Sequence, residues 1–253
     1  MRKTIITSVI GLLLMVAASL AYGASGNVSS TLHNLSAPGT PFYKGPAARA
    51  YYAGSVSSGG ETQVCVFCHT PHNAAIGQPL WNRATPTSTF NMYTSASLTS
   101  VARAVNAPGG ESLMCLSCHD GVSALNVVHN MPTGTGTPAG SLTIAGSNLV
   151  PMISGLPTTI GKDLTNDHPI SFSYAAAQAE TPTKLNDINT AKLKGIRFSG
   201  PNGDMIECSS CHDPHVAYGN DSHGNSIGGD PSLRPFLRVT NNGSQLCFAC
   251  HNK

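Results

Sequence analysis

The chain has 253 residues, with 14 Lys plus Arg against 12 Asp plus Glu and only 10% charged residues in all. An ordinary soluble domain carries roughly 25%, and no basic run breaks this near-neutrality, which excludes nucleic acid as a partner. The 26 Gly and 17 Pro, with long runs of Ser, Thr, Asn and Ala, also exclude a conventional core of long amphipathic elements.

Residues 1–23 read as a cleaved signal peptide: Arg2 and Lys3 form a basic start, Ile5 to Leu20 is apolar, and Ala21-Tyr22-Gly23 is a small-x-small exit before Ala24. No later stretch approaches the roughly 20 apolar residues of a membrane span. Without Arg2 and Lys3, 12 Lys plus Arg balance 12 Asp plus Glu.

From Ala24 to Gln63 the chain is polar, and its marked feature is His33-Asn34-Leu35-Ser36. A short turn or helix is expected at Ala47 to Tyr52. Then comes Cys65-Val66-Phe67-Cys68-His69-Thr70-Pro71-His72, followed by Pro79-Leu80-Trp81-Asn82-Arg83 with the only Trp. Leu98 to Val105 predicts one or two helical turns, stopped by Pro108 and Gly109-Gly110. A second motif, Cys115-Leu116-Ser117-Cys118-His119, leads into the apolar run Val122 to Val128 and His129. Residues 132–163 form a Gly/Thr/Pro-rich connector. His168-Pro169-Ile170-Ser171 opens the second half, with small strands predicted at Ser171–Tyr174 and Gly195–Ser199. The motifs Cys208-Ser209-Ser210-Cys211-His212-Asp213-Pro214-His215 and Cys247-Phe248-Ala249-Cys250-His251 complete the set.

All eight cysteines thus fall in four C-x-x-C-H strings. A disulfide framework has no reason to place His after every pair, and four such strings in a row are not the zinc pattern. C-x-x-C-H is the haem c attachment motif. Cys65, Cys68, Cys115, Cys118, Cys208, Cys211, Cys247 and Cys250 would form the thioethers of four haems. His69, His119, His212 and His251 would be the proximal iron ligands. Four porphyrins would fill an interior that the side chains do not, and their propionates would make the loaded protein acidic.

Both halves present a lone His, then C-x-x-C-H-x-Pro-His, then C-x-x-C-H, which is an internal repeat. We divide the chain into a first dihaem module (24–131), the connector (132–163) and a second dihaem module (164–253). His72 and His215, three residues after a proximal His, are too close to reach the opposite face of the same porphyrin. They must serve a different haem, so the string joins two haems, with Pro71 and Pro214 stiffening the link. The repeat makes His33 and His168 the other distal candidates. His129 is a fifth and reads more simply as a loop residue, as does His223. Met92, Met114, Met131, Met152 and Met205 do not recur at equivalent places in the halves and read as packing. Bis-His iron is six-coordinate and low-potential, suited to moving electrons and closed to substrate.

At these motifs the chain resembles the doubled C-x-x-C-H multihaem c-type cytochromes, and within them the filament-forming extracellular cytochromes of the OmcE and OmcS kind. Four motifs make the tetrahaem OmcE-like type the nearer match. The resemblance implies mostly irregular coil with few short helices and minor strands, organised around a stacked haem chain. It further implies a secreted electron-transfer protein, not an enzyme, that polymerises with itself and passes electrons to other cytochromes or extracellular acceptors. One distal His would come from a neighbouring subunit, His33, His72 or His129, with His72 favoured. A soluble periplasmic shuttle is the alternative, and a multihaem reductase subunit the second alternative.

Overall fold

Coil and turns dominate the computed structural model, which describes residues 28, 31, 33–35, 52–53, 63–76, 79–125, 127–130, 144–145, 159–220 and 226–252. The signal segment, the turn expected at 47–52 apart from its last residue, most of the connector, His223, Met131 and Met152 lie outside the described residues.

The helices among the described residues are short, and side-chain caps start three of the six. Helix α1 (Ser100–Arg103) falls inside the expected 98–105 segment; Thr99 accepts the Ala102 N–H at its start. The Glu180 carboxylate accepts the N–H groups of Ser100 (2.7 Å) and Val101 (3.2 Å), an anion at the positive end of the helix. Helix α2 (Gly110–His119) carries the second motif. Helices α3 (Tyr174–Glu180) and α4 (Ile188–Leu193) begin at the N-caps Ser173 and Asp187. Helix α5 (Cys208–Cys211) carries the third motif and α6 (Gln245–Cys250) the fourth.

Among the described residues, strands pair in three antiparallel two-stranded ribbons: Tyr52–Ala53 with Ile144–Ala145, Phe172–Ser173 with Met205–Ile206, and Tyr218–Asn220 with Ser226–Gly229. The strand expected at Ser171–Tyr174 shrinks to two residues, because the Ser173 hydroxyl caps α3. The strand expected at Gly195–Ser199 does not form. Gly195 and Ile196 donate their N–H groups back to Lys192 and Ala191 at the end of α4, which leaves Ser199 alone to bridge Met205.

Among the described residues the apolar interior is divided among three small clusters, each built on or against a motif. Val66 and Phe67 pack with Leu125 and Val128; Leu116 packs with Phe90 and Leu164; Ala249 packs with Tyr174, Ala191, Ile196 and Ile206. Tyr174 anchors the last, its hydroxyl 2.8 Å from the Asn186 carbonyl and 3.1 Å from that of Cys250. Tyr174→Phe should lower the stability of the loaded protein by about 1 kcal/mol, read as a lower urea midpoint at unchanged slope.

Candidate metal centres

Each C-x-x-C-H string is one α-turn. The His N–H bonds the carbonyl of the first Cys at 2.7 Å in His69, 3.1 Å in His212 and 2.8 Å in His251, while His119 closes α2. Residues three and four apart lie on one helical face, so the turn presents both sulfurs and the imidazole together. The third position of every motif points inward: Phe67 and Ser117 are 1% exposed, Ser210 and Ala249 0%. The sequence shows no common chemistry at that position; its role is to seat the turn.

None of the eight cysteines is in a disulfide. Burial pushes the Cys68 thiol up to about 12, that of Cys211 to about 11, and that of Cys118 upward. A thiolate cage for a metal ion needs the opposite, and among the described residues no three His, Cys, Asp or Glu converge on one. The neutral, half-buried thiols of Cys68, Cys118 and Cys211 suit thioethers. Sulfurs also approach one another between motifs: Cys115 lies beside Cys208, while Cys68 and Cys118 pack against one apolar cluster.

Six of the described histidines meet in three pairs. Ring centres lie 6.1 Å apart for His33 and His119, 6.3 Å for His69 and His215, and 6.3 Å for His168 and His251. A metal–imidazole bond of about 2 Å on each side, plus about 1.1 Å from nitrogen to ring centre, gives about 6.2 Å. The separations therefore fit an iron between each pair. The nitrogens fit as well: Nδ1 of His69, His168 and His212 lies 2.8, 2.8 and 2.9 Å from the carbonyls of Pro79, Pro169 and Pro235. A carbonyl only accepts, so Nδ1 carries the proton and Nε2 keeps its lone pair for a metal.

His33 and His168 each face the second motif of their own half, whereas His215 faces His69 across the two halves. Nδ1 of His33 is buried without a hydrogen bond. Burial first, then the His119 imidazole, brings His33 down to about 4, the nearby Pro214 carbonyl acting the other way. Among the described residues no second imidazole stands at such a distance from His212, His72 or His129. The last two are exposed on one edge, tied together by Asn130, whose Nδ2 donates to the His72 carbonyl at 3.1 Å. Met205 pairs with Ser173 in its ribbon and Met92 packs at an apolar cluster.

Several residues framing the centres escaped sequence reasoning. Asn82, 0% exposed, donates to the carbonyls of Val66 (2.7 Å) and Asn130 (3.0 Å) and accepts the Asn130 N–H (2.8 Å). Arg83, 3% exposed, binds the carbonyls of Ser117 at 3.1 Å, Leu125 at 2.8 Å and Ala124 at 2.6 Å. Glu207, buried between the halves, is hydrogen-bonded by the hydroxyls of Ser112 and Ser171, and burial raises its pKa. Its carboxylate requires Gly110, where a Cβ would meet Oε1 at 2.8 Å. The Asp after His119 and His212 was a usable signal: Asp120 and Asp213 both accept the N–H two residues on. The hydrogen bond from His215, offset by burial, leaves Asp213 at about 2.

Four single-turn motifs, each offering two sulfurs outside any disulfide and an imidazole on one face, are the attachment geometry expected of a c-type cytochrome. No family model matches the chain. It is similar to the C-type cytochrome OmcS of Geobacter sulfurreducens, at 28% identity over 188 residues, 68% of this chain and 36% of the relative. The chain thus spans about a third of the length of the curated relative it matches. That similarity supports a relationship to the c-type cytochromes.

Proposed function

We propose that the protein is an exported tetrahaem c-type cytochrome that conducts electrons and polymerises with itself into extracellular filaments. Haem c, when bound, supplies a one-electron iron couple. The observation that carries the reading is the pairing of three of the four motif histidines with a second imidazole at an iron-spanning separation. Cys65, Cys68, Cys115, Cys118, Cys208, Cys211, Cys247 and Cys250 hold the haems. His69, His119 and His251 bind from the motif side, and His215, His33 and His168 from the other. Two ligands of equal kind keep the site geometry alike in both redox states, and the neighbouring sulfurs keep successive sites close.

His212 then takes its distal ligand from a neighbouring copy. His33 is committed to His119, which leaves His72 or His129 as the donor. His72 is favoured because its string is the counterpart of the one holding His215, which already reaches the other half's motif. Other cytochromes or extracellular acceptors would receive the electrons. Among the described residues no helix is long and apolar enough to cross a membrane.

The unmatched His212 also favours a second reading, a reductase subunit with one open iron. Negative-stain microscopy with electron paramagnetic resonance on the same loaded sample separates the two. Filaments with only low-spin iron are expected; a high-spin signal persisting in the assembled form would favour the reductase, and monodisperse monomers at high concentration the soluble shuttle.

A further inference from the structure

The acceptors behind the ring nitrogens are not alike. His69, His168 and His212 direct Nδ1 to backbone carbonyls. His215 directs Nδ1 to a carboxylate, Asp213 Oδ1, at 3.0 Å. The same oxygen accepts the His215 backbone N–H at 3.0 Å, so ring and main chain are held together. Behind it, Asp213 Oδ2 lies 3.0 Å from Arg238 Nη1. Arg238 is itself fixed, with Nε donating to the Ser209 carbonyl at 2.7 Å and its backbone N–H to that of Cys211 at 2.8 Å. The relay Arg238–Asp213–His215 therefore ends on an imidazole whose ring stands 6.3 Å from that of His69.

We propose that Asp213 is a positioning residue that lowers the redox potential of the iron held between His69 and His215. The inference rests on the pairing proposed above. An anionic acceptor draws the Nδ1 proton away from the ring more strongly than a carbonyl does. It thereby makes Nε2 a more basic donor, which favours the more highly charged ferric state. Arg238 moderates the effect by sharing the carboxylate's charge. Changing such an outer partner alters ligand equilibria about 10- to 100-fold, and tenfold in a one-electron couple is about 59 mV.

A spectropotentiometric titration of the loaded protein tests this. Asp213→Asn keeps a neutral acceptor in place, and one of the four components should rise by about 59 mV with the spectrum still low-spin. Arg238→Gln should move the same component the other way. His215→Met replaces the ring that Asp213 acts through; it should give one haem a sulfur-to-iron absorption band, and adding Asp213→Asn to it should then leave the potentials unmoved. An equal shift from Asp213→Asn in both backgrounds would mean a bare charge effect and overturn the proposal while leaving the pairing intact. A His215→Met protein whose four haems all stay bis-imidazole overturns pairing and proposal together. Should His215→Met fail to load haem, Asp213→Asn alone decides: a shift confined to one component supports the proposal, and no shift, or a comparable shift in a second component as a bare charge next to His212 would give, overturns it.

Discussion

Replacing Arg83 by Met should cost the loaded protein on the order of 4 kcal/mol, from about 1–3 kcal/mol for each buried carbonyl stripped of its donor. Arg83 is 3% exposed and joins the carbonyls of Ser117, Ala124 and Leu125, so it ties the end of α2 to the loop after it. Those segments carry Cys118 and the apolar cluster beneath Cys68. Met fills much of the volume and satisfies none of the carbonyls. Arg83→Lys should recover only part of the loss, since one ammonium cannot reproduce the planar fork. Denaturant unfolding of purified, fully loaded protein measures both variants. An Arg83→Met protein within about 0.5 kcal/mol of the parent, the range of ordinary surface changes, would show that the three carbonyls do not depend on Arg83.

His72→Ala should abolish filaments while leaving a folded monomer. The His72 side chain is exposed, so its removal disturbs no cluster. Its backbone carbonyl still accepts from Thr70 Oγ1 at 2.9 Å and from Asn130 at 3.1 Å, and neither contact needs the ring. The expected product is a monodisperse species with four haems, one of them high-spin at His212. Size-exclusion chromatography, microscopy and spin-state spectra each read the outcome. Filaments with all iron low-spin would exclude His72 as the donor and point to His129, whose Ala variant should then show the loss.

The class of fold was legible because composition forbids long elements: helix α1 lies where the 98–105 segment predicts it, and the ribbons are as small as the Gly and Pro content suggests. Helices α3 and α4 were not anticipated, although the N-caps Ser173 and Asp187 mark their starts. Their short cores depend on packing against Ile206 and Ala249, residues remote in sequence. Asn82 and Arg83 stand in the string that holds the only Trp, yet their function as carbonyl-binding struts is invisible without the loops that supply the carbonyls.

The chemistry each motif can offer was set by the sequence alone. A single α-turn puts the first Cys, the second Cys and the His on one face, and no distant residue is needed for that. Which imidazole faces which was decided by tertiary structure. The two halves repeat the same order of motifs, so the spacing predicts equivalent roles for His72 and His215. Only His215 meets a motif imidazole within the chain, because helices α2 and α5 pack together through Cys115, Cys208 and Glu207 and bring His69 and His215 to 6.3 Å. Local geometry follows from residue spacing, whereas partnership depends on where low-information connectors let the chain return.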